Sequence, residues 1–214
     1  MYNTIIFDLD GTLSQSAEGI TKSVQYMLEK FGIIETDLKK LECFIGPPIT
    51  NSLKDLYGFD DEKAWQGVMY YRERFEKKGI YENSPYEGIE EMLKCLKESG
   101  KKLAIATSKP QPQTDVIINR YGFNKYLDLV VGPDPDSKST TKSDVVRMVI
   151  NRLGCDKETT VMVGDKHHDI VGAKDNNIKS IGVLYGYGSR QELEEYGADT
   201  IVATVEELTD LLLG

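Results

Sequence analysis

Two carboxylates one residue apart, Asp8 and Asp10 in Asp8-Leu9-Asp10-Gly11-Thr12, stand directly after the apolar run Thr4-Ile5-Ile6-Phe7. A second acidic pair, Asp165 and Asp169, falls in Gly164-Asp165-Lys166-His167-His168-Asp169. Between them in the chain lie Thr107-Ser108-Lys109 and, further on, Lys142. Carboxylates gathered at one place repel strongly unless a hard cation sits among them. Oxygen donors without a His or Cys cluster favour Mg2+ over zinc. A lysine and a Thr/Ser pair at a helix start suit a phosphate: hydroxyl and backbone N–H groups donate, and the ammonium supplies charge. Metal, phosphate anchor and spare carboxylate together describe phosphoryl transfer, in which one carboxylate attacks phosphorus and another handles the proton.

Such groups need elements that aim them at one another. Residues 4–7 read as a strand buried on both faces, as in a parallel sheet. From residue 14 to about 83 no comparable strand appears. Ile20, Val24, Met27, Leu28 and Phe31 recur at helical spacing, and further helical stretches are predicted near 36–43, 48–57 and 61–78. After Ser84-Pro85, predicted strands at 103–106, 128–131, 160–163, 179–183 and 200–202 alternate with helices near 87–99, 111–121, 142–153, 168–176, 190–196 and 205–213. Ser189-x-x-Glu192 and Thr204-x-x-Glu207 have the capping-box form at the last two helix starts. Alternating short apolar strands and helices imply an α/β fold, a Rossmann-like parallel sheet with helices on both faces. The expected organisation is an α/β core of residues 1–13 and 84–214 with an inserted all-helical domain at 14–83. The hinges are expected at Leu13-Ser14-Gln15-Ser16 and Tyr81-Glu82-Asn83-Ser84.

In an open α/β sheet the ligand site lies at the carboxyl ends of the strands. Asp8 and Asp10 end the first strand, Thr107-Ser108-Lys109 the 103–106 strand, and Gly164-Asp165 the 160–163 strand. Lys142 follows the 128–131 strand after a polar loop, at a predicted helix start. Acid, hydroxyl and ammonium groups are thus aimed at one rim.

The balance of charge narrows the partners. The chain of 214 residues carries a net charge of −9, so a nucleic acid or an anionic membrane is repelled on average. A small anionic substrate remains open, because a metal and one or two lysines reverse the sign locally. No apolar run approaches the roughly 18 residues that span a bilayer, and no basic stretch with an apolar signal core opens the sequence. Cys43, Cys95 and Cys155 lie far apart, in neither zinc nor disulfide spacing, and are expected as small packed residues in a reducing cytoplasm.

The order DxDGT, strand-end Thr/Ser, lysine and GDxxxD resembles the haloacid dehalogenase-like superfamily over nearly the whole chain. The helical insertion looks like that family's cap of the first type. The resemblance implies that Asp8 is nucleophile and metal ligand. It implies that Asp10 protonates the leaving oxygen, then deprotonates the hydrolytic water, and gives its backbone carbonyl to Mg2+. Thr107, Ser108 and Lys142 would hold the phosphoryl group. Asp165 would bind the metal, and Asp169 would bind it or a water upon it. An acid at Asp10 favours ester hydrolysis or phosphoryl transfer over dehalogenation. The stretch GDKHHDIVGAKDNNIKSIGVLYGYG is similar to that of a bacterial subgroup of phosphoglycolate phosphatases and 5'-nucleotidases.

The family's lysine is often followed by proline, whereas Ser143 follows Lys142, and Lys138 competes four residues earlier. Lys142 is preferred because it opens the amphipathic stretch Val145, Val146, Val149, Ile150 and Leu153. Lys109 reads as a solvated loop residue. His167 and His168 read as a solvated helix start, since neighbours in sequence do not share a helix face. Trp65, Tyr70, Tyr71 and Phe75 read as core of the insertion, the run Glu73 to Lys78 as a solvated face, and Gly186-Tyr187-Gly188 as a flexible turn. The expected activity is Mg2+-dependent hydrolysis of a small soluble phosphate ester, phosphoglycolate- or nucleotide-like, through an aspartyl-phosphate. A sugar phosphomutase needs the same motifs. A phospho-aspartate signalling module fits less well, because its acidic pair would not be followed by so long a helical insertion.

Overall fold

The computed structural model describes residues 1–137 and 140–214. In chain order its strands are β1 (Thr4–Phe7), β2 (Ser14–Gln15), β3 (Ser84–Pro85), β4 (Lys102–Ala106), β5 (Leu129–Val131), β6 (Thr160–Gly164), β7 (Lys179–Val183) and β8 (Thr200–Val202). The helices are α1 (Ala17–Lys30), α2 (Ile49–Tyr57), α3 (Asp61–Phe75), α4 (Ile89–Glu98), α5 (Gln111–Tyr121), α6 (Lys142–Leu153), α7 (His167–Asp175), α8 (Arg190–Glu195) and α9 (Val205–Leu213). The chain divides into two compact units, Met1–Ser14 with Pro85–Gly214, and Gln15–Ser84. No helix among the described residues is long and apolar enough to cross a membrane.

The first unit is built on a six-stranded sheet in the order β5-β4-β1-β6-β7-β8, with every neighbouring pair parallel. Strand β1 sits in the middle, Phe7 opposite Ile105 of β4 on one side and Val163 of β6 on the other. The chain runs outward from β1 through β4 to β5, then crosses back to β6 on the other side of β1. The order therefore reverses at β1, and its carboxyl end is the switch point where such sheets bind ligands. Side chains alternate across each strand, and both faces are covered. Ile6, Ala104, Ala106 and Met162 pack with Val145, Val146 and Val149 of α6 and Ala173 of α7. Ile5, Phe7, Leu103, Ile105, Val161 and Val163 point to the other face and are equally buried. This two-sided burial is why β1 reads as an unbroken apolar run.

The second unit is helical. Helix α3 packs against α1 and α2, around Ile20, Val24, Met27, Leu28, Leu53 and Phe75. Tyr71 stacks on Phe75 with ring centroids 5.1 Å apart, and Phe31 meets Phe59 and Tyr70 edge-on at 5.0 and 5.5 Å. Arg74 departs from the expected solvated face: its guanidinium donates to both oxygens of Glu82, at 2.8 and 3.0 Å, and to Ser23 Oγ at 3.1 Å. That fork joins the last turn of α3 to α1 and to the returning chain.

Several boundaries differ from expectation for identifiable reasons. The stretch near 36–43 is a 3-10 helix, Leu38–Phe44, opened by the Asp37 carboxylate accepting from Lys39 N–H. Helix α3 stops at Phe75, short of 78. Strand β5 begins at Leu129 because the Asp128 carboxylate is engaged by Leu103 N–H at 2.9 Å and Lys97 Nζ at 2.6 Å. Cys43 is exposed, against the expectation of a packed residue, while Cys155 packs against the core.

Candidate active site

Four segments deliver the charged groups to the carboxyl edge of the sheet. Asp8 follows β1 directly, its N–H donating to Val163 O at 2.9 Å. The chain then curls back, with Leu13 and Ser14 N–H groups donating to Leu9 O and Gly11 N–H to Ser14 O. Gly11 takes φ +85°, and a Cβ there would lie 2.3 Å from Asp165 Oδ2. Only glycine permits both the turn and that approach, which is the physical content of the Gly in DxDGT. Thr107 follows β4 and Asp165 follows β6. Lys142 is the first residue of α6, held there by a complete capping box between Thr141 and Asp144. Asp169 lies in the first turn of α7, where its Oδ2 accepts from Lys166 N–H at 3.1 Å.

The Lys142 ammonium is the centre of this arrangement. It lies 2.6 Å from Asp8 Oδ1, 2.9 Å from Asp169 Oδ1, and donates to Ala106 O at 3.0 Å. The last contact ties it to the end of β4, one residue before Thr107. Lys138 lies outside the described residues. One carboxylate oxygen from each of Asp8, Asp165 and Asp169 falls within 4.8 Å of the others. Asp165 Oδ2 accepts from Tyr187 N–H at 2.7 Å, so Gly186-Tyr187-Gly188 anchors a site carboxylate and is more than a flexible turn. Thr107 is buried, and its Oγ accepts from Lys109 N–H at 3.2 Å. Ser108, next in the same loop, is half-buried.

Lys109 departs from its expected place in solvent. It is buried, and its ammonium lies 3.0 Å from Asp10 Oδ2. Its position just past β4 and just before Pro110 and α5 is the sequence signal that bears on this: so short a loop leaves the side chain at the strand ends. The two histidines also differ from expectation. Their rings lie 3.8 Å apart between centroids, His167 Nδ1 is 2.5 Å from Glu192 Oε1, and His167 packs on Tyr196. Burial, with the neighbouring His167 adding to it, pulls His168 down to about 4, so it is neutral at neutral pH.

Among the described residues, four buried carboxylates (Asp8, Asp10, Asp165 and Asp169) face two buried ammonium groups, Lys109 and Lys142. Burial, and behind it the charges of Asp169 and Asp10, pushes Asp8 up to about 7 against the pull of Lys142. Burial and the charges of Asp169 and Asp8 hold Asp165 well above the usual carboxylate range. Burial works against the Lys142 ammonium, but the Asp169 and Asp8 carboxylates outweigh it and hold its pKa above the ordinary lysine value. An all-oxygen donor set of three clustered carboxylates fits a hard divalent cation. Such a site can bind a cation and a phosphate together and present a carboxylate to phosphorus.

A model of the haloacid dehalogenase-like hydrolases matches residues 5–183. The chain is similar to a 5'-nucleotidase of Pseudomonas aeruginosa, at 41% identity over 99% of this chain and 96% of that protein. It is 33% identical to a pyrophosphatase of Halalkalibacterium halodurans, over 98% of this chain and 96% of that one. Its structure is similar to that of a predicted phosphatase from Clostridium acetobutylicum, with a TM-score of 0.97, 46% identity and coverage of 100% and 99% of the two chains.

Proposed function

The chain belongs to the haloacid dehalogenase-like hydrolases and is a phosphoric monoester hydrolase, and on that premise we propose that it acts on small soluble phosphate esters through an aspartyl-phosphate on Asp8, with Mg2+ as cofactor. One observation carries the reading: Asp8, at the carboxyl end of β1, shares a buried site with Asp165 and Asp169 around the Lys142 ammonium. Asp8, Asp165 and Asp169, with the backbone carbonyl of Asp10, are the groups to hold Mg2+, which when bound offsets the negative charge of the phosphoryl oxygens.

The residues then divide the work. A carboxylate oxygen of Asp8 forms a bond to phosphorus as the bond from phosphorus to the ester oxygen breaks, and Asp10 gives that oxygen its proton. Lys142, Thr107 and Ser108 hold the phosphoryl oxygens with charge and hydroxyl donors. Asp10, now a carboxylate, takes a proton from the water that attacks the aspartyl-phosphate, which releases phosphate and restores Asp8. Without cationic partners two anions would have to meet, and preorganised opposite charge in a buried site removes most of that barrier.

The relative's 5'-nucleotidase activity supports a nucleoside monophosphate as the first substrate to test, and the family resemblance supports phosphoglycolate beside it. Asp8→Asn is expected to lower Mg2+-dependent hydrolysis of p-nitrophenyl phosphate by about 1,000-fold or more, as when a covalent nucleophile is removed. Its circular dichroism spectrum should be unchanged. Undiminished turnover by the folded variant overturns the mechanism. Assay of both metabolites, with and without Mg2+, then ranks the substrates.

A further inference from the structure

We infer that Lys109 is a positioning residue for the proton-transferring carboxyl group of Asp10, an assignment that rests on the proposed function. Its ammonium holds Asp10 by one oxygen, Oδ2, at 3.0 Å, with the two side chains 5% and 10% exposed. The other oxygen, Oδ1, is buried and has no hydrogen-bond partner among the described residues. A carboxyl group gripped on one side and left unengaged on the other has a single oxygen to present to a reacting group.

The backbone of Lys109 is built to keep this geometry. Its N–H donates to Thr107 Oγ at 3.2 Å, and its carbonyl accepts from the buried Thr114 Oγ at 3.1 Å. Gly132, just past β5, comes so close that a Cβ there would lie 2.4 Å from Lys109 O. Three elements therefore fix the residue, and burial removes the solvent that would otherwise weaken its hold on Asp10. As the ester bond breaks, the proton passes from Asp10 to the leaving oxygen while the new bond forms between Asp8 and phosphorus. The carboxylate left on Asp10 lies against the ammonium, so the charge created by the proton transfer is met where it appears.

A misplaced acid matters most when the leaving group is poor, because a good leaving group departs without a proton. Lys109→Met should therefore steepen the dependence of kcat/KM on the leaving group across dinitrophenyl, nitrophenyl and phenyl phosphate. Phenyl phosphate should lose about 100-fold, at the low end of what a general acid supplies, and dinitrophenyl phosphate should lose little. In an Asp10→Asn background the same substitution should add no further leaving-group dependence. Should Lys109→Met fail to fold by circular dichroism, Lys109→Gln, which keeps a donor, is read in the same series with the same expected steepening. Equal loss on all three esters, as expected of a phosphoryl contact or a purely structural lysine, overturns the inference, and so does an unchanged profile. Wild-type protein that hydrolyses none of the esters with Mg2+ instead overturns the proposed function, and this inference with it.

Discussion

In the α/β unit Lys142 meets Asp8 and Asp169 with its side chain 6% exposed and theirs 6% and 2%, whereas in the helical unit Arg74 meets Glu82 with 17% and 26% exposed. The two sites differ more in what they leave unsatisfied than in their distances. Arg74 gives each oxygen of Glu82 a donor, and that bidentate hydrogen bonding holds the Glu82 carboxyl below its usual range against the opposing effect of burial. Around Lys142, burial and, behind it, the neighbouring carboxylates push Asp8 and Asp165 upward instead, and among the described residues the buried acids outnumber the buried ammonium groups. A pair that completes itself serves the fold. A cluster left short of positive charge is held ready for something else, and perturbed acids of this kind gather where chemistry is done.

The strongest way to break this contrast is to remove the central ammonium. Lys142→Met leaves Asp8 and Asp169 buried without their partner, which should cost on the order of 3–5 kcal/mol in the absence of divalent cation. Urea unfolding followed by circular dichroism measures it, and hydrolysis of p-nitrophenyl phosphate should fall below detection. A loss no larger than that of an exposed pair would erase the distinction between the two units. Adding Mg2+ sharpens the contrast from the other side. If the three carboxylates hold the ion, a hundredfold excess over its dissociation constant should stabilise the wild type by about 2.7 kcal/mol. Asp165→Asn should respond far less, and an equal response by the variant would place the ion elsewhere.

The smallest effect is expected in the helical unit. Arg74→Met should cost about 1 kcal/mol, because the pair is partly open to solvent and screened. Turnover of p-nitrophenyl phosphate should stay within about threefold of wild type, since the substitution lies outside the acid cluster. Its pH dependence follows from Glu82, whose folded carboxyl titrates below its usual 4.5. The folded state then binds fewer protons than the unfolded state in that range, so the pair's contribution is present above about 4.5 and is lost as pH falls through the lowered value. The stability difference between wild type and Arg74→Met should therefore shrink in acid, and a difference that grows there would contradict the assignment.

Much of this site is legible in the sequence. A strand buried on both faces must be apolar throughout, so the abrupt appearance of Asp8 and Asp10 after Phe7 marks a strand end, and the same holds for Thr107 after Ala106 and Asp165 after Gly164. Lys142 could be preferred because the apolar positions of α6 begin at once behind it. What the pattern did not carry were contacts made across the chain. Lys109 and Arg74 looked solvated because a charged residue in a loop or in a charged run usually is. Lys109 is buried against Asp10, far away in sequence, and Arg74 is half-buried by Glu82, eight residues on, and by Ser23 of α1, fifty-one residues back. The histidine pair departs from a solvated position for the same reason, since Glu192 comes from the later helix α8 and Tyr196 follows it.

The order of the six strands of the main sheet and of the helices between them, the strand ends that carry the acids and the family itself were thus determined by the sequence alone, because periodicity, motif spacing and the alternation of apolar runs with turns are local properties of the chain. Only the tertiary structure decided which ammonium answers which carboxylate, and how much negative charge is left over. Those quantities depend on distances of a few ångströms and on the exclusion of water, and both come into being when separate segments pack together.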